Sequence, residues 1–418
     1  MDLRAHIAAL PSSKIREVAN AGLGRSDVLP FWFGESDEVT PEAVRQAAAE
    51  SLARGETFYS HNLGLPELRH AIAGYTHLLH PQQGTDQWFD RIAVTSGGVN
   101  GLMLASQALV DAGDEVVVVT PAWPNLVAQP RILGAQVRTV PLQVLTDGPR
   151  AGAWALDLDA LLAAVTPATK LLIVNAPNNP TGWTLSRDEQ TAILAHCRRT
   201  GTWILADEVY ERLYFAGDTV NDPALGRASG GAWGSTMSAP SFLDVAAPDD
   251  RLIVPHSFSK SFLMTGWRLG WLVLPAALTH AVGKLIEFNT SCAPVFVQRA
   301  AMVALLHGDE VTPRLVQHLR TCRDTLVPQL QAVPGVTLAE PQGGMYAFFQ
   351  LAGHDDCLLT AKRLVREAGL GLAPGSAFGP EATGWLRWCF ASRDPQRLVQ
   401  GVERLRRWLA GQPARPGL

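Results

Sequence analysis

The sequence predicts an α/β protein with a mostly parallel central sheet and a second, smaller domain. Two apolar runs, EVVVVT at 115–120 and KLLIVN at 170–175, lack the alternation of a half-exposed strand. Such runs are typical of parallel strands that are covered on both faces. A chain of 418 residues is also longer than one ordinary core, which favours about two domains.

Composition excludes several classes of protein. With 47% hydrophobic and 18% charged residues, the chain can bury large cores and does not have a disordered composition. The net charge of −4 gives no bulk field that would attract nucleic acid or an anionic membrane. No stretch approaches the ~20 apolar residues of a membrane-spanning helix, and the N-terminal residues have no apolar run typical of a signal peptide.

The five cysteines are an odd number, are widely scattered, and include no C-x-x-C pair. This pattern favours reduced thiols over a disulfide framework or a zinc site. The sequence therefore predicts a cytoplasmic protein without a metal centre.

Helix signals flank the predicted strands. Thr40, Pro41 and Glu42 predict a helix start, with the Thr40 hydroxyl as the cap and a helix that runs to about Arg54. Ser186 begins another helix that is predicted to reach about Arg199. Further helices are predicted over 276–288, 294–307 and 310–333.

A strand, a glycine turn and a helix follow one another in RIAVTSGGVNGLMLASQAL at 91–109. The free amides and the dipole of a helix N-terminus favour an anion, so this turn is a candidate phosphate seat. The residues that would line it are Gly97, Gly98, Val99 and Asn100. Many α/β proteins turn in this way, so the motif gains weight only together with others.

Two later strands end in polar residues. Asn179 lies in the turn NNPTG, where its amide can reach a phenolate oxygen, and Asp207 ends the strand TWILAD. Ligands bind at the carboxyl ends of strands in open α/β sheets, and a carboxylate there can keep a pyridine nitrogen protonated. Alone, Asp207 could equally be a magnesium ligand or a helix cap.

The segment HSFSKSFLMTGWRLGW at 256–271 places an imine-forming amine beside an anion clamp. Desolvation or nearby cations can lower the pKa of a lysine such as Lys260 until it reacts. The hydroxyls of Ser257 and Ser259 and the forked guanidinium of Arg268 suit a phosphate dianion.

These motifs, in the order N-P-T-G, D-E-x-Y and S-x-S-K-x-x-x-x-x-G-W-R, resemble the class I/II aminotransferases, which are fold-type I pyridoxal phosphate enzymes. The likeness extends from about Trp32 to Phe390. It implies a large α/β domain and a smaller α+β domain built from both chain ends. The implied bounds are 1–47 and 291–418 for the small domain and 48–290 for the large one.

The resemblance also assigns roles, with pyridoxal 5′-phosphate as the cofactor. The implied cofactor contacts are the imine at Lys260, Asp207 at the ring nitrogen, Asn179 and Tyr210 at the 3′-oxygen, Trp123 on the ring face, and the phosphate seat of Gly98, Val99, Ser257, Ser259 and Arg268. Tyr59 is implied to reach the phosphate of a partner subunit in a homodimer. Gly34, Asn179 and Arg387 are implied to bind the substrate. Of these, Gly34 and Arg387 are implied to hold the carboxylate end of the amino acid, since a strand arginine pairs naturally with a carboxylate.

The implied reaction is transfer of an amino group between an L-amino acid and a 2-oxo acid, by a ping-pong aldimine and ketimine mechanism. Neutral or aromatic amino acids are slightly favoured by the aromatic residues near the site, because no matched motif supplies a second arginine for a side-chain carboxylate. A C–S β-eliminating lyase or an amino-acid oxidase on the same fold is the alternative, and a pyridoxal-binding regulator is a remote one. An apparent insertion at 216–250 could be a lid, a surface excursion or a dimer contact.

Overall fold

The computed structural model describes residues 3–82, 84–147, 151–215, 230–231, 234–235 and 238–411. Most of the insertion predicted at 216–250 therefore lies outside the described residues, and its role stays a prediction. The strands are β1 (Leu29–Pro30), β2 (Ile92–Thr95), β3 (Glu115–Thr120), β4 (Gln136–Pro141), β5 (Gln143–Val144), β6 (Trp154–Ala155), β7 (Thr169–Asn175), β8 (Trp203–Asp207), β9 (Gly230–Gly231), β10 (Gly234–Ser235), β11 (Leu252–Ser257), β12 (Gly270–Val273), β13 (Val336–Thr337), β14 (Tyr346–Leu351), β15 (Leu370–Gly371), β16 (Ala373–Pro374) and β17 (Trp385–Cys389).

Fourteen α-helices lie in the described part of the chain. They are α1 (Ala5–Ala8), α2 (Lys14–Ala21), α3 (Glu42–Ala53), α4 (Pro66–Leu79), α5 (Thr85–Phe89), α6 (Gly98–Leu109), α7 (Pro124–Ile132), α8 (Leu158–Ala164), α9 (Arg187–Thr200), α10 (Ala276–Glu287), α11 (Val295–Leu306), α12 (Gly308–Gln331), α13 (Cys357–Arg363) and α14 (Gln396–Ala410). None of these helices is long and apolar enough to cross a membrane.

The large sheet has seven strands in the order β2-β12-β11-β8-β7-β3-β4. β12 is antiparallel to both of its neighbours, and the other pairings are parallel. The apolar runs of β3 and β7 are buried almost throughout, as the sequence predicts for strands that are covered on both faces. The prediction of an α/β fold with a mostly parallel sheet is confirmed.

Local signals place several helices as expected. Ser186 and Glu189 form a capping box at the start of α9, and Gly201 ends this helix in the left-handed conformation. The predicted helices near 276–288, 294–307 and 310–333 are α10, α11 and α12. The cap predicted at Thr40 is wrong, because Pro41 is the cap residue and the Thr40 hydroxyl donates to the carbonyl of Leu263 at 2.6 Å.

A second, antiparallel sheet has the strand order β13-β14-β17-β16, and β1 pairs with β15 in parallel. Its apolar cluster joins residues from both chain ends, and Phe31 stacks on Trp388 with 5.0 Å between the ring centroids. A smaller α+β unit built from both ends of the chain is thus present. α11 instead packs against α3, within the apolar cluster of the large sheet, and the domain bounds at 47 and 290 stay a prediction.

Candidate active site

A cavity of about 630 Å³ lies where strands of the large sheet end in polar residues. Asn175, Asp207 and Ser257 are the last residues of β7, β8 and β11, and all three line it. Because these strands are parallel, their carboxyl ends meet at one edge of the sheet. The predicted site residues that line the cavity are Gly34, Gly98, Val99, Trp123, Asn179, Asp207, Tyr210, Ser257, Ser259, Lys260, Arg268 and Arg387.

Lys260 projects into this cavity from the segment after β11. Its Nζ donates a hydrogen bond to the carbonyl of Gly34. Burial lowers the pKa of Lys260 to about 8, and the positive charges of Arg387 and Arg268 act in the same direction. A larger fraction of the amine is therefore neutral near physiological pH than for an exposed lysine, as an imine-forming nucleophile requires.

Asp207 is 2% exposed and lies at the carboxyl end of β8. Burial raises the pKa of its carboxyl to about 7, although the amide of Val209 and the charge of Lys260 oppose this rise. A positive group beside Asp207, such as the protonated ring nitrogen of a pyridine, would offset the energetic cost of burying the ionised carboxylate. Asn175, which the sequence reading missed, donates from Nδ2 to the Asp207 carbonyl at 2.8 Å and so fixes this strand end.

Tyr210 and Tyr346 share a hydrogen bond of 2.6 Å between their buried hydroxyl groups. Burial raises the pKa of Tyr210 well above its ordinary value. A Cβ on Gly34 would lie 2.1 Å from the Tyr346 hydroxyl oxygen, so only glycine fits at this position. The contact of Tyr210 with a cofactor oxygen beside Asn179 stays a prediction.

Arg387 lies in β17 and is 2% exposed. Its Nη1 donates to Asn179 Oδ1 at 2.9 Å and its Nη2 donates to the carbonyl of Trp32, while its Nε is buried without a partner. The rings of Tyr346 and Phe378 lie 4.5 and 5.0 Å from the guanidinium carbon. No carboxylate of the described residues pairs with Arg387, so a buried cation with a free donor faces the cavity.

The start of α6 is the predicted anion seat. Gly97 precedes the helix with φ 96°, and a Cβ there would lie 2.6 Å from Nη2 of Arg268. Arg268 is itself left-handed, with φ 53°, and its Nη1 donates to the Thr265 carbonyl at 2.6 Å. Ser257 Oγ accepts the Ser259 amide at 3.1 Å. The helix amides, two hydroxyls and a guanidinium therefore converge as a phosphate dianion requires.

Three predicted site residues do not line the cavity. Gly97 does not line the cavity and packs against the guanidinium of Arg268. The side chain of Asn100 donates to Asn289 Oδ1 at 2.9 Å and accepts a hydrogen bond from the Ser96 amide. Tyr59 is 87% exposed. The cofactor contacts predicted for these three residues stay predictions.

Sequence reasoning missed two further charged residues of the lining, Glu35 and Arg16. Arg16, in the first turn of α2, faces the same cavity as Lys260. Its neighbours in the sequence give no sign of this, because helix α2 is brought to the cavity by the tertiary fold.

Fold and cavity together define a pyridoxal phosphate enzyme of the open α/β sheet type. The fit rests on the acidic group at a strand end, the amine with a lowered pKa and the phosphate seat, where glycine leaves room for the Arg268 guanidinium. The Nε of Arg387 adds a buried hydrogen-bond donor without a partner among the described residues, of a kind that suits a carboxylate.

Comparison with known proteins gives the family. The class I and II aminotransferase family matches residues 27–405, and the chain belongs to it. The aspartate aminotransferase of Thermotoga maritima is 31% identical over 407 residues, which cover 96% of this chain and 98% of the relative. The protein is accordingly an aminotransferase that depends on pyridoxal 5′-phosphate.

Solved structures agree with this assignment. Aspartate aminotransferase from Thermus thermophilus with maleate has a TM-score of 0.82 and 28% identity, covering 97% of this chain and 99% of that one. An aromatic aminotransferase from Pyrococcus horikoshii has a TM-score of 0.79 and 26% identity, covering 94% of this chain and 98% of that one.

Proposed function

We propose that this aminotransferase moves the amino group of an L-amino acid to a 2-oxo acid in two half-reactions of the ping-pong type. The observation that carries the proposal is the position of Lys260 and Arg387 in one cavity. A primary amine with a lowered pKa and a buried guanidinium with an unpaired donor match the two ends of the reacting amino acid.

Arg387 binds the α-carboxylate through its free Nε and a second guanidinium nitrogen. This contact fixes the amino acid so that its Cα lies near the Lys260 amine, which removes the Cα proton and returns it to the carbon on the other side of the amino nitrogen. When bound, pyridoxal phosphate supplies the electron sink for the carbanion that this proton transfer leaves. The buried wall of Tyr346 and Phe378 keeps water from the guanidinium.

The other residues of the cavity hold the cofactor. The α6 amides, Ser257, Ser259 and Arg268 would hold the phosphate, and Trp123 would pack against the ring. Asp207, ionised by a positive partner, holds a proton on the ring nitrogen. Asn179 Oδ1 accepts a hydrogen bond from Arg387, and the Asn179 amide would contact the 3′-oxygen of the cofactor.

The working form is proposed to be a homodimer in the cytoplasm. Phe58 and Tyr59 are 83% and 87% exposed, which supports a partner subunit that covers them. Tyr59 would then contact the phosphate of the partner's site. All five cysteines are free, which supports a reducing compartment.

The proposed reaction does not determine which side chain the substrate carries. The aromatic lining at Phe33 and Trp123 supports the neutral or aromatic amino acid that the sequence slightly favours. Relatives of both kinds share the fold, since one is named for aspartate and another for aromatic substrates. Arg16 in the same lining favours a dicarboxylic amino acid instead.

Product analysis tests the proposal against the lyase and oxidase alternatives. Purified protein with pyridoxal phosphate, one amino acid and 2-oxoglutarate is expected to give glutamate and the matching oxo acid in equal amounts. Ammonia with pyruvate would establish a β-eliminating lyase, and hydrogen peroxide would establish an oxidase. Either result would overturn the two-half-reaction scheme.

A further inference from the structure

Arg16 is an arginine of the cavity that the proposed function gives to neither the cofactor nor the α-carboxylate. Its guanidinium carbon lies 4.9 Å from the ring centroid of Phe33. Phe33 precedes Gly34, whose carbonyl accepts the hydrogen bond from Lys260. Arg16 therefore contacts the segment of Phe33 and Gly34, whose Gly34 carbonyl binds the reactive amine of Lys260.

The position of Arg16 is unfavourable for the helix that carries it. α2 begins after Ser13, whose Oγ accepts the Arg16 amide at 3.2 Å, so Arg16 lies in the first turn. A cation there is repelled by the positive end of the helix dipole. No carboxylate of the described residues lies within ion-pair distance of its guanidinium, which rests on an aromatic face instead. The Arg16 guanidinium is therefore held in the lining without a carboxylate partner among the described residues.

The charges of the cavity leave Arg16 without a counter-ion. The cationic groups that line the cavity are those of Lys260, Arg268, Arg387 and Arg16. The acidic groups that line it are those of Asp207 and Glu35. A cofactor phosphate balances Arg268, and the α-carboxylate of an amino acid balances Arg387. Glu35 accepts a hydrogen bond from the Thr265 hydroxyl at 3.2 Å and makes no ion pair with Arg16. Arg16 is thus the arginine of the lining to which neither the phosphate nor the α-carboxylate is assigned, and a further carboxylate on the substrate would pair with it.

We propose that Arg16 binds the side-chain carboxylate of the substrate, and that the amino acid is therefore dicarboxylic. The inference rests on the proposed function, since Arg387 must hold the α-carboxylate of the same molecule. Arg16 is exposed at the mouth and Arg387 is buried, so the two cations fix the direction of the substrate between them. The ring of Phe33 holds the guanidinium in place while its outer edge stays open to the ligand.

The test compares Arg16→Met and Arg16→Lys with the wild-type holoenzyme. The half-reaction is followed with L-aspartate, L-glutamate and L-2-aminoadipate, and with L-leucine and L-phenylalanine as neutral amino acids. In Arg16→Met the ratio of kcat/KM for dicarboxylic over neutral amino acids is expected to fall about tenfold or more, mainly through KM. Arg16→Lys is expected to recover part of this ratio because it keeps the charge but loses the fork.

Lys14→Met is the matched control. Lys14 is in the same first turn of α2, but its Nζ donates to the Ser376 carbonyl at 3.1 Å and it does not line the cavity. Its removal takes one positive charge from the helix without touching the substrate, so the ratio is expected to stay unchanged. An equal fall in Lys14→Met would show a general field effect and would overturn the proposal.

A binding measurement separates this proposal from the proposed function. The dissociation constant of maleate, a plain dicarboxylate, is measured on the holoenzyme by calorimetry, and Arg16→Met is expected to weaken it about tenfold. An unchanged maleate affinity, or an equal loss with all five amino acids, would overturn the role of Arg16. If the wild type binds maleate through Arg16 but exchanges no amino group, the proposed function fails and the anion site stands.

Discussion

Replacing Arg387 by methionine is expected to separate substrate binding from the stability of the fold. The guanidinium is 2% exposed, and no carboxylate of the described residues pairs with it. A buried charge without a partner is costly, and an apolar side chain of similar volume is often neutral or stabilising in its place. The methionine loses the hydrogen bonds to Asn179 and Trp32, which limits the gain. We expect the unfolding temperature without substrate to stay the same or rise.

Catalysis is expected to respond in the opposite direction. Loss of one member of a buried, hydrogen-bonded charge pair costs about 2–5 kcal/mol, which is about 30-fold to several thousand-fold in kcat/KM. The fall should occur with every amino acid, because the α-carboxylate is common to all of them. Arg387→Lys keeps the charge but not the planar fork, and should lie between the wild type and Arg387→Met.

The assay is a stopped-flow half-reaction with the holoenzyme, paired with thermal unfolding of the same samples. A kcat/KM for Arg387→Met within about threefold of the wild type would refute the carboxylate role. A large fall in unfolding temperature would refute the claim that Arg387 is held at a cost to stability. Either result would leave the unpaired Nε without an explanation.

Three other substitutions test separate parts of the site and its surroundings. Lys260→Ala is expected to abolish amino-group exchange and the visible absorbance of the bound cofactor, and a variant that keeps both would rule out this lysine. Asp207→Asn should still bind the cofactor but slow the half-reaction about 10²–10³-fold in stopped flow, because a neutral amide cannot hold the ring nitrogen protonated; an unaltered rate would remove Asp207 from the mechanism. His80→Gln addresses a buried cluster behind the site, where burial opposes the charge of His80 but contacts with Asp244, at 2.9 Å, and Glu211, at 3.5 Å, outweigh it and raise its pKa to about 10. A raised pKa stabilises the fold fully below about pH 6.5 and less as pH rises through 10. The difference in unfolding temperature between wild type and His80→Gln should thus shrink over that window, and a constant difference would contradict the assignment.

Local sequence patterns were sufficient for several elements of the large domain. The runs that became β3 and β7 are apolar throughout, so they could be read as covered strands without knowledge of their neighbours. The capping box at Ser186 and Glu189 likewise lies within a few residues of the helix that it starts. The place of β12 between β2 and β11, antiparallel to both, could not be predicted, because strand pairing depends on contacts distant in the sequence.

Tertiary contacts also explain the errors and omissions near the site. Thr40 has the sequence signature of a helix cap, but its hydroxyl finds a buried carbonyl partner at Leu263 instead. Asn175 ends an apolar strand, and its bonds to the Asn179 amide and the Asp207 carbonyl depend on how β7 and β8 pair. Arg16 resembles an ordinary surface cation until α2 is placed over the cavity. The motif residues were predictable because their chemistry is distinctive at short range.

The absorbance spectrum of the purified protein with pyridoxal phosphate tests the central claim most directly. Wild-type protein is expected to show a band in the visible, which moves into the near ultraviolet when a single amino acid is added without an oxo acid. A 2-oxo acid added afterwards should restore the band. If no band forms with added cofactor, or if the band persists in Lys260→Ala, the assignment of Lys260 and of this cavity is contradicted.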